Sequence, residues 1–358
     1  MPADAAWAVV ADRTSPVRVA SQSVSTSLAD LTTLRLGGQA KYVAVAKSSA
    51  EVIEAVQRAD AKDKPVLIIG GGSNLVVADE GWPGVVVLVR SHGIASTQLG
   101  PNVSVTVQAG EVWDTVVATS VRNGWSGLAA MSGIPGRTGA TPIQNVGAYG
   151  SEVAELISAL TVYDRDSGEV ESWGPERCGF GFRTSAFKHT DRYVILAVTF
   201  ALAAATDAPP VRYAELARRL GVEVGDTAPS SDVRETVLEL RRSKGMLLDQ
   251  DDHDTWSVGS FFVNPFVAAD AVPEGCPHWT VDGQVKLSAA WLIENAGFAK
   301  GYGNKKVAVS GKHTLALTNR GGASTAQLLE LAREIRDGVE AKFGIRLRPE
   351  ARLAGVTL

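Results

Sequence analysis

The chain has 358 residues, of which 45% are hydrophobic, 21% charged and 6% aromatic, and its net charge is −4. That length suggests two or three domains of about 100–200 residues each; the composition is that of a soluble globular protein and offers no basic footprint for nucleic acid. Cys178 and Cys276 fit no metal-ligand spacing and read as reduced thiols, the opening residues lack a secretory pattern and no stretch reaches the ~18 apolar residues of a membrane span, so a cytoplasmic location is expected.

Residues 1–20 read as a loosely held tail. Ser48 and Glu51 make a capping-box pattern ahead of Val52, Ile53 and Val56 at helical spacing. PVLIIGGGSNLVV, residues 65–77, reads as buried strand, glycine turn and strand. VVVLV (85–89) and the alternating VSVTVQAG (103–110) continue in strands, and EVWDTVVATSVRNG (111–124) reads as a helix ending at Gly124. Residues 127–150 carry six glycines and two prolines, and such a long irregular stretch in a compact chain is usually functional or disordered. Its apolar content argues against disorder.

Strands are expected at 159–164 and 193–202, and helices at 212–221 and 231–245. LSAAWLIENAG (287–297) has helical spacing, HTLALTN (313–319) reads as a strand, and Ser324 with Gln327 caps a helix over 324–344. IRLRPEARL closes the fold. Strands and helices mixed without regular βαβ alternation point to an α+β protein.

The glycine cluster Gly70, Gly71 and Gly72, followed by Ser73 and Asn74, can form a backbone nest for phosphate, or equally a tight turn between strands. In the second glycine segment Gly133, Gly136, Gly139, Ala140, Gly147 and Ala148 let a backbone approach a flat or anionic ligand, while Gln144, Asn145 and Tyr149 supply polar tips. Neither segment matches a Rossmann fingerprint or a P-loop, so a dinucleotide held outside a Rossmann fold fits best.

Three polar residues stand in apolar or patterned surroundings. Ser260, between Gly259 and Phe261–Phe262, is either a turn serine bonding its own backbone or a hydroxyl kept for chemistry. Arg183, among Phe180, Phe182 and Phe187, either grips a carboxylate or stacks on the rings. Glu350, among Arg346, Arg348 and Arg352, reads as a surface ion pair unless something else claims it. Lys244, closing RRSK, is a solvated helix end or a ligand grip. The histidines at 92, 189, 253, 278 and 313 have no metal spacing and read as surface or core residues, so no metal is expected.

GGGSN (70–74), SGIPGRTGA with QNVGAYG (132–150), FRTSAFK (182–188), GSFFVNP (259–265) and RPEAR (348–352) occur in this order. Together they resemble the UDP-N-acetylenolpyruvoylglucosamine reductase (UDP-N-acetylmuramate dehydrogenase) family over nearly all of the chain beyond about residue 25. The resemblance implies a FAD-binding fold of the vanillyl-alcohol-oxidase (PCMH) type in two α+β subdomains, residues 21–88 with 346–358 returning and residues 89–244. A separate α+β substrate domain would occupy 245–345. It implies non-covalent FAD held by Gly70, Gly71, Gly72, Ser73 and Asn74, and by Ser132, Gly133, Ile134, Gly136, Thr138, Gly139, Ala140, Gln144, Asn145, Gly147, Ala148 and Tyr149.

By the same resemblance NADPH is the co-substrate and UDP-N-acetylglucosamine enolpyruvate the acceptor, Arg183 and Glu350 stabilise the intermediate, and Ser260 protonates it. Tyr213 would cover the ligand, Lys244 would lie near the diphosphate and Asn264 near the uracil. Phe182, Thr184 and Val263 depart from the family's usual tyrosine, aspartate and basic residue. The alternatives are a flavin-dependent sugar-alcohol oxidase on the same scaffold and a non-catalytic nucleotide-sugar binding protein.

Overall fold

The computed structural model describes residues 26–281 and 283–358; the tail expected over 1–20 lies outside them. The first sheet runs in the order Thr26–Ser27, Gln39–Ala46, Trp82–Val89, Val66–Ile69, with the last three strands parallel. Parallel strands need a crossover, supplied between Gln39–Ala46 and Val66–Ile69 by helix Ser49–Asp60. Its start follows from the cap: Ser48 Oγ accepts the Glu51 N–H at 3.2 Å, and the Glu51 carboxylate accepts the Lys47 N–H at 2.7 Å. The helix buries Val52, Ala55, Val56 and Ala59 against Ala44, Val66 and Val87.

A second, antiparallel sheet has the order Val170–Trp173, Ile157–Asp164, Tyr193–Ala204, Asn102–Gln108, Ile94–Leu99. Val103, Val105 and Val107 alternate inward, where they meet a core containing Trp113 of helix Trp113–Arg122, Leu160 and Phe200. The glycine-rich stretch 127–150 is pinned to this layer by backbone bonds of 2.9 Å from Thr138 N–H to the Glu111 carbonyl and from Gly139 N–H to the Ala109 carbonyl. Helices Ala214–Leu220 and Ser230–Ser243 pack beside it, with Val233, Val237 and Leu240 inward.

The last third contains the three-stranded sheet Phe266–Val267, Gln284–Leu287, His278–Val281, the pair Val307–Val309 with Leu317–Asn319, and helices Ala289–Asn295 and Thr325–Phe343. The capping box of Ser324 and Gln327 is present. Phe261, Phe262, Leu292, Leu328 and Ile335 share one core with Leu34, Leu36 and Val76 from the N-terminal region. Buried Asn319 ties the same two regions, donating from Nδ2 to the Leu34 and Arg35 carbonyls at 3.1 Å.

The strand expected over 313–319 is shorter, Leu317–Asn319. Residues 310–316 form a hairpin tip, closed by Ser310 N–H on the Ala316 carbonyl at 2.8 Å and by Ser310 Oγ accepting from the Lys312 and His313 N–H groups. Near the C-terminus Arg352–Ala354 returns to pair in parallel with Leu75–Val77, which sets Glu350 beside the first glycine turn. Among the described residues no helix is long and apolar enough to cross a membrane, and no group of three or more His, Cys, Asp or Glu is placed to hold a metal ion.

Candidate active site

The GGGSN turn joins Val66–Ile69 to Leu75–Val77 and faces the second glycine segment across a cleft of about 310 Å³. The two walls nearly touch: a Cβ on Gly71 would sit 2.6 Å from Gly136 Cα, and Gly136 itself has φ +125°, a conformation that favours glycine. Ser73 Oγ donates to the Pro135 carbonyl at 2.8 Å, and Asn74 Nδ2 donates to Gln144 Oε1 at 2.6 Å. A second hollow of about 110 Å³ shares Gly70, Ala140, Ile143 and Arg352 with the cleft and continues past Phe187 and Tyr193. Two adjoining hollows walled in part by glycine backbone fit a flat, diphosphate-bearing dinucleotide such as FAD.

Arg183, Ser260 and Glu350 all line this cleft. Arg183 has φ +52°, and its guanidinium donates to the Asn145 carbonyl at 3.0 Å and the Gly147 carbonyl at 2.7 Å, while Nε lies 3.3 Å from Glu350 Oε1. The Phe182 ring centroid lies 5.3 Å from the guanidinium carbon, so carboxylate pairing and ring contact occur together. Glu350 pairs with Arg183 rather than with the arginines adjoining it in sequence. Burial pushes its carboxyl above the usual range, against the pull of Arg183 and Lys188.

Ser260 is placed by its neighbour. Phe261 is fully buried; its N–H donates to the Leu315 carbonyl at 2.7 Å, and its carbonyl accepts the Glu350 N–H at 2.8 Å. These two bonds hold the serine between the 310–316 hairpin tip and the Glu350 loop. The hydroxyl does not bond its own backbone: Oγ faces His313 Nε2 at 3.3 Å.

Of the residues expected to hold a cofactor, Gly70, Gly71, Gly72, Ser73, Asn74, Ile134, Gly136, Ala140, Gln144 and Gly147 line the cleft, and Gly139 lines the smaller hollow. Ser132, Gly133, Thr138, Asn145, Ala148 and Tyr149 line neither. Ser132 Oγ donates to the Ala129 carbonyl and Thr138 Oγ1 to the Glu111 carbonyl. Asn145 bonds its amide to Glu152, the Gly181 carbonyl and the Ala154 N–H, which fixes the backbone whose carbonyl seats Arg183. Gly133 packs against Leu238 and Leu247. Tyr149, whose phenol burial pushes up to about 12, meets Tyr213 edge-on with centroids 5.5 Å apart.

Tyr213, Lys244 and Asn264 also lie off the cleft lining. Lys244 Nζ pairs with Glu215 at 2.6 Å, and Asn264 Oδ1 accepts the Ala289 N–H at 3.0 Å.

Two further groups stand at or beside the site with no motif to mark them, and RRSK (241–244), whose pattern reads as a solvated helix end, buries its first member. Arg241 is 7% exposed and lines the cleft; Nη2 donates to the Met246 carbonyl at 3.1 Å, while Nε has no partner in the protein. Burial lowers its pKa, with Tyr149 and Asp114 pulling the other way. A signal existed: with Val233, Val237 and Leu240 it falls on the buried stripe of its helix. No local pattern marks His313, which by sequence is an ordinary surface or core histidine.

Comparison with known proteins finds relatives over most of the chain. A family described as UDP-N-acetylenolpyruvoylglucosamine reductase, C-terminal domain, matches residues 250–354, and one described as FAD binding domain matches residues 40–174. The UDP-N-acetylenolpyruvoylglucosamine reductase of Thermobifida fusca is 52% identical over 346 residues, covering 92% of this chain and 97% of that protein. That of Salinispora arenicola is 51% identical, covering 92% and 95%. The crystal structure of the Thermus caldophilus reductase superposes with a TM-score of 0.62 at 25% identity, covering 92% of this chain and 97% of that one. The fold is the α+β, PCMH-type FAD-binding fold with a further α+β unit. The chain belongs to the UDP-N-acetylenolpyruvoylglucosamine reductase family.

Proposed function

We propose that the cleft shared by Arg183, Ser260 and Glu350 is the catalytic centre of this flavoenzyme. Family membership makes the chain an FAD-containing, NADPH-dependent oxidoreductase that reduces the enolpyruvyl group of UDP-N-acetylglucosamine enolpyruvate to the lactyl ether, giving UDP-N-acetylmuramate for peptidoglycan synthesis. The observation that carries the site assignment is the meeting of Arg183, Ser260 and Glu350 on one glycine-walled hollow, from loops as far apart as residues 183 and 350.

Gly70–Asn74, Ile134, Gly136, Ala140, Gln144 and Gly147 would hold FAD. When bound it supplies the two-electron carrier between NADPH and the nucleotide sugar.

Reduction at the terminal CH₂ of the enolpyruvyl group leaves negative charge on the neighbouring carbon and the carboxylate. Arg183, fixed by the Asn145 and Gly147 carbonyls, presents a preorganised cation to that charge. Glu350, raised by burial, anchors the guanidinium and in its protonated form donates a hydrogen bond to the same intermediate. Ser260 gives the proton to the neighbouring carbon, and the buried Phe261 and Phe262 beside it limit water.

Tyr213, with Tyr149, forms a lid edge over the nucleotide. Lys244 exchanges Glu215 for the diphosphate, and Asn264 sits on the uracil side. The working units are 21–88 with 346–358, then 89–244, then 245–345, and the setting is the cytoplasm, with neither nucleic acid nor membrane as partner.

The test is Ser260→Ala in the flavin-loaded protein. Flavin reduction by NADPH stays within about threefold of wild type. Reoxidation by the enolpyruvyl nucleotide slows by ~10²- to 10⁴-fold, the range of a lost general acid. Equal slowing of both half-reactions removes Ser260 from this role.

A further inference from the structure

A serine that has given up its proton is left as an alkoxide far more basic than anything nearby can tolerate, so the proton must be replaced at once. We propose that His313 is the positioning residue that orients the Ser260 hydroxyl and restores its proton from solvent. This rests on the reading of Ser260 as the proton donor.

The geometry carries it. His313 Nε2 is the only partner of Ser260 Oγ among the described residues, at 3.3 Å, just beyond the usual range, as catalytic contacts often are before a substrate arrives. Both ends of the contact are tied to the scaffold by hydrogen bonds. The serine is held through Phe261. The histidine sits on a hairpin tip closed by buried Ser310 and by Ala316 N–H on its own carbonyl at 3.0 Å.

Burial, followed by Lys244, Lys300 and Arg241, holds the imidazole down to about 4, so the ring is neutral at neutral pH. A neutral imidazole has one N–H and one lone pair, so it can donate and accept at the same time. In the Nε2–H tautomer it donates to Oγ and leaves the serine O–H free to point at the substrate.

The proton balance closes. As the C–H bond of the product forms the Oγ–H bond breaks, and in the same concerted step the Nε2–H bond breaks to remake Oγ–H, while Nδ1 takes one proton from solvent. One proton enters per turnover, as reduction of a double bond by a hydride donor requires. A later tautomer exchange resets the ring.

His313→Ala and His313→Gln, each flavin-loaded, are compared with Ser260→Ala and with Ser260→Ala/His313→Ala by rapid mixing. In His313→Ala, NADPH reduces the flavin within about twofold of the wild-type rate. Substrate affinity, read from the flavin absorbance change, holds within about threefold. Reoxidation at saturating substrate slows by ~10- to 100-fold, the lower part of the acid–base range. His313→Gln recovers part of that loss, because its amide N–H can still orient Oγ but cannot pass a proton. The double variant is no slower than Ser260→Ala, since the two residues act as a unit.

Reoxidation of His313→Ala at the wild-type rate, or a loss confined to substrate affinity, overturns the inference; the second result would make His313 a binding group. If Ser260→Ala itself reoxidises normally, the donor assignment falls first. If Ser260→Ala is slow and His313→Ala is not, only the role of His313 falls. Should His313→Ala lose its flavin, His313→Gln decides: reoxidation at the wild-type rate refutes the relay and slowing supports it.

Discussion

Replacing Arg183 by alanine removes one cation together with its contacts to two carbonyls, to Glu350, to Glu152 at 3.8 Å and to the Phe182 ring. The Asn145 and Gly147 carbonyls, 3.0 and 2.7 Å from the guanidinium, each lose a charge-assisted donor. The Glu350 carboxylate loses the ion partner 3.3 Å away. Arg183 is 20% exposed and Glu350 16% in their side chains, so water can partly replace what is lost, and Glu350, already raised by burial, can take up a proton instead of remaining an unpaired charge.

The folding cost is therefore about 2–3 kcal/mol, below the 3–5 kcal/mol of a fully buried pair. The kinetic cost is larger. Removing a preorganised donor from a developing anion costs ~10²- to 10³-fold, or about 2.7–4 kcal/mol, and the loss should fall on the reaction with the enolpyruvyl nucleotide. Arg183→Lys keeps the charge but not the fork that spans two carbonyls, so a loss of roughly tenfold is expected. Rapid-mixing absorbance separates the half-reactions, and denaturant unfolding measures the stability term. The reasoning fails if Arg183→Ala reoxidises at the wild-type rate, or if NADPH-driven reduction slows by the same factor.

Two other predictions concern stability and cofactor affinity. His313 is held down to about 4 in the folded protein, against about 6.5 when unfolded, so between those values the unfolded chain binds a proton that the folded one refuses. Stability contributed by the neutral ring is full above pH 6.5 and falls as the pH drops toward 4, by about 2 kcal/mol at pH 5 and about 3 kcal/mol in all; unfolding curves at pH 7.5, 5 and 4 should show wild type losing that much more than His313→Gln, and parallel curves would count against it. Gly71→Ala puts a Cβ 2.6 Å from Gly136 Cα, backbone against backbone; overpacking of about 1–3 kcal/mol should push the two walls apart and weaken FAD binding by ~5- to 150-fold, and an unchanged dissociation constant would place the flavin elsewhere.

The amino-acid sequence by itself determined whatever depends on near neighbours in the chain. Ser48 with Glu51 and Ser324 with Gln327 start helices where the capping patterns say, because a cap needs only residues three apart. Val103, Val105 and Val107 face inward because a strand has period two. Five ordered motifs were enough to point to the family, and the glycine segments were legible as close-approach surfaces. Even Arg241 was within reach, as a cation on an apolar stripe.

Partners were another matter. The resemblance makes Asn145, Ser132 and Thr138 cofactor contacts, and the fold also bonds their side-chain polar atoms within the scaffold. Lys244 is paired with Glu215, and Ser260 faces a histidine 53 residues away that no motif marks. Glu350 chose Arg183 over the arginines beside it because strand Arg352–Ala354 pairs with Leu75–Val77 and carries the carboxylate to the glycine turn. Only tertiary structure decides such pairings: a side chain's direction and its burial are set by which distant segments pack together, and local periodicity carries no information about that choice.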